Sequence, residues 1–450
     1  MAATSVAKSA ANAPAAPTAT NATPAPPGPR WRRRVRAPRT ALLLLAVVSA
    51  LSLATRAAWI GDPPTPVFDE NYYVNAARTI AGIPVPHGAA YSGASPHLDP
   101  NYEHPPLAKV LVAAGIRLFG DRPLGWRAAS LVFGSLAVLA LYWLVRGVGG
   151  SSWLALGAAS ILAADNLFLV HGRLATLDVF AVTLMLAGAG LYVRHRPVAT
   201  GVALGLAGCT KLVGLYALGA LALLELLRWR WPAELAAGPA SSGGWQRLRP
   251  YARRLAICVV VTAVSFGIGL ALLDARYTVF DSPLTHLRYM LGYAGNLPPH
   301  PPAHPGIAFA PTSMPWEWLL NRKAILYYQR LAPGSGSVLV QFQGRLSPFV
   351  IFLAVPALLA AGHAALRRRD AVAQLALAWT VATFGAFFVV SLDHRFNYLY
   401  YMLAVLPGIC IALARVPSGR RWAKVAVPVY AVALLFELVV MFPVHTWSGA

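Results

Sequence analysis

Two adjacent carboxylates, Asp69 and Glu70, stand in the stretch VFDENYY (67–73), about ten residues beyond the apolar run that starts at Thr40. A carboxylate at the start of a helix at a membrane surface can take a proton from a hydroxyl, the work of a general base. The structural reading is an N-cap, since aspartate side chains accept the first free amides of a helix. Capping needs only one acid and leaves Glu70 unexplained. The same loop ends in NYEHPPLAK (101–109), whose two prolines suit the first turn of a helix. Lys109 then lies ~5 Å along that helix, near lipid phosphate depth. It is either a snorkelling lysine or a cation held for a phosphate group. Further polar residues interrupt apolar stretches: Arg127, His171 and Arg173 in HGRLATLD, Asp178 seven residues after His171, and Lys211 in GCTKLVGLY. Ionisable groups inside a membrane are costly and face a partner or a water-filled cavity, so Asp178 pairing with Lys211 is the structural alternative for this set.

The elements that must position these groups are membrane helices. Of 450 residues 57% are hydrophobic and 12% charged, against roughly 25% charged in a soluble domain. The composition predicts an all-α polytopic membrane protein. About eleven spans are expected: 40–60, 105–119, 127–147, 152–170, 177–194, 198–227, 255–273, 346–363, 372–391, 397–415 and 422–442, with 198–227 holding one long helix or two short ones. The net charge of +22 falls in short segments between apolar runs, which fits the positive-inside rule and excludes nucleic acid as a partner. The clusters Arg122/Arg127, Arg228 to Arg254, Arg367-Arg368-Arg369 and Arg415 to Lys424 are assigned to the cytoplasm. The long connections 61–104 and 274–345 are assigned to the opposite face, with the N-terminus cytoplasmic. Residues 1–39 read as a disordered Ala/Pro-rich basic tail. Residues 40–273 form an N-terminal catalytic module that includes the first loop, 274–345 the second loop, and 346–450 the C-terminal helices. After Asp69, Tyr73, Ala76/Ala77 and Ile80 recur at helical spacing, which predicts an amphipathic helix on the membrane surface. Cys209, Cys258 and Cys410 lie in apolar stretches and make neither a disulfide framework nor a metal spacing.

In order and spacing, FDENYY…HPPLAK…WRAASLVFGSLAVL…HGRLATLD…TKLVGLY resembles the protein O-mannosyltransferases, membrane glycosyltransferases that use a polyprenyl-phosphate sugar. SMPWEWLL (313–320) and RFNYLYYMLAVLPG (395–408) extend the resemblance, which covers nearly all of Thr40 to Pro443 and is nearest the bacterial members. It implies Asp69 as general base, with Glu70 orienting it or helping to hold the acceptor. Lys109, Arg127 and Arg395 would hold the donor phosphate, and Tyr72, Tyr73, His104, Trp316 and Trp318 would wall the sugar and prenyl chain. Arg173, Asp178 and Lys211 would support the site from within the membrane. A monophosphate leaving group can be stabilised by such cations, so no metal or cofactor is expected. The implied partners are a lipid-linked sugar donor, a secreted protein or cell-envelope acceptor, and membrane lipids. Tyr401 and Ala404 replace a histidine and a proline usual in the family, which leaves open a same-fold transferase acting on a cell-wall glycan or lipid. A transporter should show inverted repeats and broken helices in matching halves, and the sequence shows neither.

Overall fold

The computed structural model describes residues 38–232, 244–296, 313–331, 338–392, 397–442 and 445–446. The expected tail before Pro38, and Arg395, lie outside the described residues. Four helices come first: α1 (Arg39–Ala57), α2 (Glu70–Ala81), α3 (Leu107–Phe119) and α4 (Pro123–Gly147). Asp165 separates α5 (Ser152–Ala164) from α6 (Asn166–His171). Then follow α7 (Asp178–Tyr192), α8 (Pro197–Thr210), α9 (Tyr216–Arg230), α10 (Gly244–Tyr277), α11 (Pro283–Gly295) and α12 (Pro315–Leu319). The antiparallel hairpin of β1 (Ile325–Leu331) and β2 (Val338–Gly344) precedes α13 (Pro348–Ile351), α14 (Ala354–Arg367), α15 (Ala371–Leu392), α16 (Leu406–Arg415) and α17 (Ala423–Val440). Last, β3 (His445–Thr446) pairs with β2. Among the described residues seven helical segments are long and apolar enough to cross a membrane, and α5, α7, α8 and α16 are shorter apolar helices.

The expected span at 105–119 is corrected by the contacts of Arg127. Its guanidinium donates to the carbonyls of Ile60 and Pro63 at 2.8 and 2.9 Å, so the start of α4 lies beside the end of α1. A chain that leaves α1 and re-enters through α4 at the same level makes no crossing in between. α3 is also short, 13 residues or about 20 Å. Arg78 near the end of α2 pairs with Asp121 just beyond α3 at 3.0 Å, and Arg117 of α3 donates to Ala81 O at 3.3 Å. Both α2 and α3 therefore belong to the connection between α1 and α4. Nor does α2 lie open on a surface: none of its residues is exposed, because it is packed among protein on nearly every side.

The stretch 198–227 is two helices. The backbone of Lys211 is extended (φ −162°, ψ 138°), which ends α8 and lets a short 3-10 turn, Leu212–Leu215, lead into α9. At the far end of α9, Glu225 pairs with Arg254, which in turn bonds His195 at 2.6 Å, next to the start of α8. α9 thus returns to the level at which α8 begins. Gly201 and Gly205, one turn apart on α8, bring it close to α10: a Cβ at Gly205 would stand 2.6 Å from the Cβ of Ser265. Such small-residue faces are how helices approach where lipid gives no hydrophobic drive. The three cysteines are buried and unpaired with one another.

Candidate active site

The site begins with an unusual turn. Phe68 has φ +52°, the left-handed region that costs a bulky L-residue roughly 1–2 kcal/mol. Because the chain arrives this way, Asp69 is already helical (φ −63°, ψ −15°), and its side chain makes no capping hydrogen bond. Only its carbonyl takes part in the first turn, accepting from the amides of Tyr72 and Tyr73 at 3.0 Å. The N-cap reading of Asp69 is therefore removed. Its half-buried carboxylate accepts no hydrogen bond among the described residues.

Glu70 is the opposite case. It is fully buried, and both oxygens are occupied: Oε1 accepts from Arg127 Nε at 2.9 Å and Ala175 N at 2.8 Å. Oε2 accepts from Arg127 Nη2 at 2.8 Å and Val67 N at 3.2 Å. This is a bidentate pair reinforced by two backbone amides, the geometry a buried charge needs to be tolerated. It joins α2, α4 and the segment before α7, and leaves neither oxygen for an acceptor. Glu70 ties the loop that carries Asp69 to α4 and to the segment before α7.

Asp69 faces a second ion pair and a group of tyrosines. Lys211 Nζ lies 2.8 and 2.9 Å from the two oxygens of Asp178, and 5.1 and 5.7 Å from the rings of Tyr400 and Tyr401. The expected Asp178–Lys211 pairing is thus found, and it sits within electrostatic reach of Asp69. Burial pushes the Asp69 carboxyl up to about 7; the Lys211 ammonium pulls it down and the Asp178 carboxylate raises it further. Burial also raises Tyr72 and Tyr73, with the Asp69 charge adding to the rise in each. Tyr72 meets Tyr91 edge-on at 6.2 Å, and Tyr73 lies 5.9 Å from the His104 ring. The arrangement is an acid poised near neutrality, one cation already shared with another acid, and aromatic walls. It can take a proton from a hydroxyl and steady an anion nearby.

Several expected ligands are engaged by the protein instead. Lys109 is fully buried, so it does not snorkel; its ammonium pairs with Asp99 at 2.6 Å and donates to His104 O at 2.9 Å and to both oxygens of Asn101. With four acceptors around three protons, it pins the HPPLAK turn. Arg127 is likewise occupied by Glu70 and the carbonyls at the end of α1. Arg173 closes that same end, donating to Ala58 O and Trp59 O at 2.8 Å between the rings of Phe342 and Phe442. Trp318 is fully buried against Phe384, Phe387 and Tyr401, its indole donating to Ser313; Trp316 is half exposed beside Phe388. The sequence reading missed Tyr327, Tyr398 and Tyr400. The last two stand in the RFNYLYYM run already singled out, whereas ILYYQR around Tyr327 carries no local signal.

Comparison with known proteins agrees with the fold and the motifs. The family profile described as dolichyl-phosphate-mannose-protein mannosyltransferase matches residues 122–280. A polyprenol-phosphate-mannose–protein mannosyltransferase of Corynebacterium glutamicum is 33% identical over 160 residues, 34% of this chain and 29% of that protein. The protein of the same name from Mycolicibacterium smegmatis is 26% identical over 90% of this chain and 89% of its own length. Among solved structures, the S. cerevisiae protein O-mannosyltransferase Pmt1-Pmt2 complex bound to the sugar donor aligns with TM-score 0.67 at 13% identity, covering 91% of this chain and 90% of that one. ArnT from Cupriavidus metallidurans bound to undecaprenyl phosphate aligns with TM-score 0.52 at 21% identity, covering 87% and 62%. Similarity over nine tenths of the sequence and a shared fold meet the motif resemblance: this chain is similar to the protein O-mannosyltransferases, bacterial ones among them.

Proposed function

We propose that the protein transfers a mannosyl group from a polyprenyl phosphate to Ser/Thr hydroxyls of secreted proteins, by a single inverting displacement. The acceptor oxygen forms a bond to the anomeric carbon as the bond to the phosphate oxygen breaks. The hydroxyl proton goes to Asp69, and polyprenyl phosphate leaves. The observation that carries this reading is the Asp69 carboxylate: uncapped, unbonded among the described residues, and raised to about 7, where a general base works best. The relatives' activity supports the donor and acceptor classes.

The cations for the leaving phosphate are assigned to Lys211 and to Arg395. Lys109 and Arg127 act one step back, holding the loop that carries the acid. A monophosphate leaving group is within the reach of such cations, so the reaction is assigned no metal. Eleven passes are inferred, formed by α1, α4, α5, α7 to α10, α14, α15, α16 and α17. The basic ends of the helices support a cytoplasmic N-terminus and a site outside the cytoplasm. The test is transfer of radiolabelled mannose from polyprenyl phosphate to a Ser/Thr-rich peptide by the purified protein. Alkali-labile label on the peptide is expected. Label appearing only on glycan or lipid in membranes would replace the protein acceptor with an envelope one.

A further inference from the structure

We propose that Tyr327, on the hairpin of the second long connection, is a positioning residue for Asp69; the inference rests on the reading of Asp69 as the base. The strand register shifts between Leu326 and Tyr328, paired with Gln343 and Phe342, so Tyr327 is the extra residue of a β-bulge. Bulges re-aim a side chain out of the regular alternation. Here the phenol is buried, 1% exposed, with its ring against Phe342 at 5.9 Å and against Gly344, where a Cβ would strike the ring. Its hydroxyl is 2.5 Å from His171 Nε2, and His171 Nδ1 is 2.9 Å from Thr176 Oγ1.

The other side of the Tyr327 ring meets Phe68 edge-on at 5.1 Å, and Tyr400 and Tyr398 approach Phe68 at 5.8 and 6.4 Å. Phe68 is the residue with φ +52°, directly before Asp69. Its left-handed turn fixes how the chain enters α2 with Asp69 itself at helical angles, and those angles keep the Asp69 carboxylate off the helix amides. Were this turn to relax, Asp69 could take the extended backbone of an ordinary N-cap, and its side chain would then be drawn onto the amides of the first turn. The phenol anchored on His171 blocks that relaxation. The second connection thereby sets the chemistry of the first. Nothing in this role requires Tyr327 to touch a reactant.

The test compares Tyr327→Phe and His171→Leu with the wild type in the mannose-transfer assay. Both variants remove the anchor from opposite ends while keeping the cluster filled. Expected is a fall in kcat of at least tenfold in each, with donor KM within twofold. The acid limb of the pH profile should move below about 7, because a carboxylate that accepts amide hydrogen bonds is easier to ionise. In an Asp69→Asn background Tyr327→Phe should cause no further loss, since the effect passes through Asp69. An equal proportional loss in that background, or a wild-type kcat and acid limb in Tyr327→Phe, would overturn the positioning role. A wild-type protein without transfer would instead overturn the functional reading, and the same assay shows it before any variant is compared.

Discussion

Glu70→Gln separates a carboxylate that builds the site from one that works in it. In the wild type, four donors converge on Glu70: Arg127 Nε and Nη2, Val67 N and Ala175 N. A glutamine amide must turn its NH2 toward one of the two donor pairs, so two of the four bonds are lost. The buried Arg127 guanidinium also loses its only counter-charge at bonding distance among the described residues. Breaking a buried pair costs roughly 3–5 kcal/mol, and two bonds to charged groups at ~1.5–3 kcal/mol each give ~3–6 kcal/mol, which overlaps it. Arg127 keeps its bonds to Ile60 O and Pro63 O, which places the expectation near the lower end, about 3 kcal/mol or ~100-fold in the folding equilibrium. Thermal scans of purified protein in one detergent should show a clear fall in the apparent Tm. Arg127→Met should also destabilise. The double variant should lose less than the sum, with a coupling energy toward the upper end of the ~0.5–3 kcal/mol seen for contacting pairs. Glu70→Gln protein that melts like the wild type but turns over slowly would refute this reasoning and put Glu70 on the acceptor.

Three further outcomes are expected. Lys109→Ala should lower the apparent Tm, because Asp99 loses its buried partner, and should leave donor KM unchanged in the folded fraction; a large rise in KM with normal melting would return Lys109 to the phosphate. The kcat/KM of transfer should rise with pH through about 7 as Asp69 loses its proton, and Lys211→Gln should shift that limb upward, since the Lys211 charge holds the carboxyl down; an unmoved limb would separate the two groups. Arg122→Cys should react with an impermeant thiol reagent in intact cells, as should Ser92→Cys, whereas Arg421→Cys should not; protection of Arg122→Cys would restore a crossing at α3.

Much of the site was legible because its chemistry is written locally. VFDENYY pairs two acids beside aromatics, and Asp178 and Lys211 each sit alone in apolar sequence, where only a partner makes them tolerable. What could not be read was which acids and cations the protein itself would saturate. Glu70 and Asp69 are neighbours of the same chemistry, yet the four donors that occupy Glu70 come partly from residues 57 and 105 positions away in sequence. Lys109 and Arg127 suited a phosphate for the same reason they suit buried partners. α3 is apolar enough to resemble a span, yet its first two turns pack largely against protein, and of the two forms left open for 198–227 the turn at Lys211 selects two helices. Tyr327 was beyond reach, since its role depends on a bulge in a hairpin far along the chain.

The central claim is that Asp69 takes the acceptor's proton, and Asp69→Asn tests it most directly. The substitution keeps size and polarity and removes the basicity. Because the Asp69 side chain neither caps α2 nor bonds a described donor, folding should be unaffected. Positioned acid–base groups are worth ~10²–10⁴-fold in rate. Mannose transfer by Asp69→Asn should be at least ~100-fold slower, with melting and donor binding as in the wild type. Transfer by Asp69→Asn within a few-fold of wild type would contradict it.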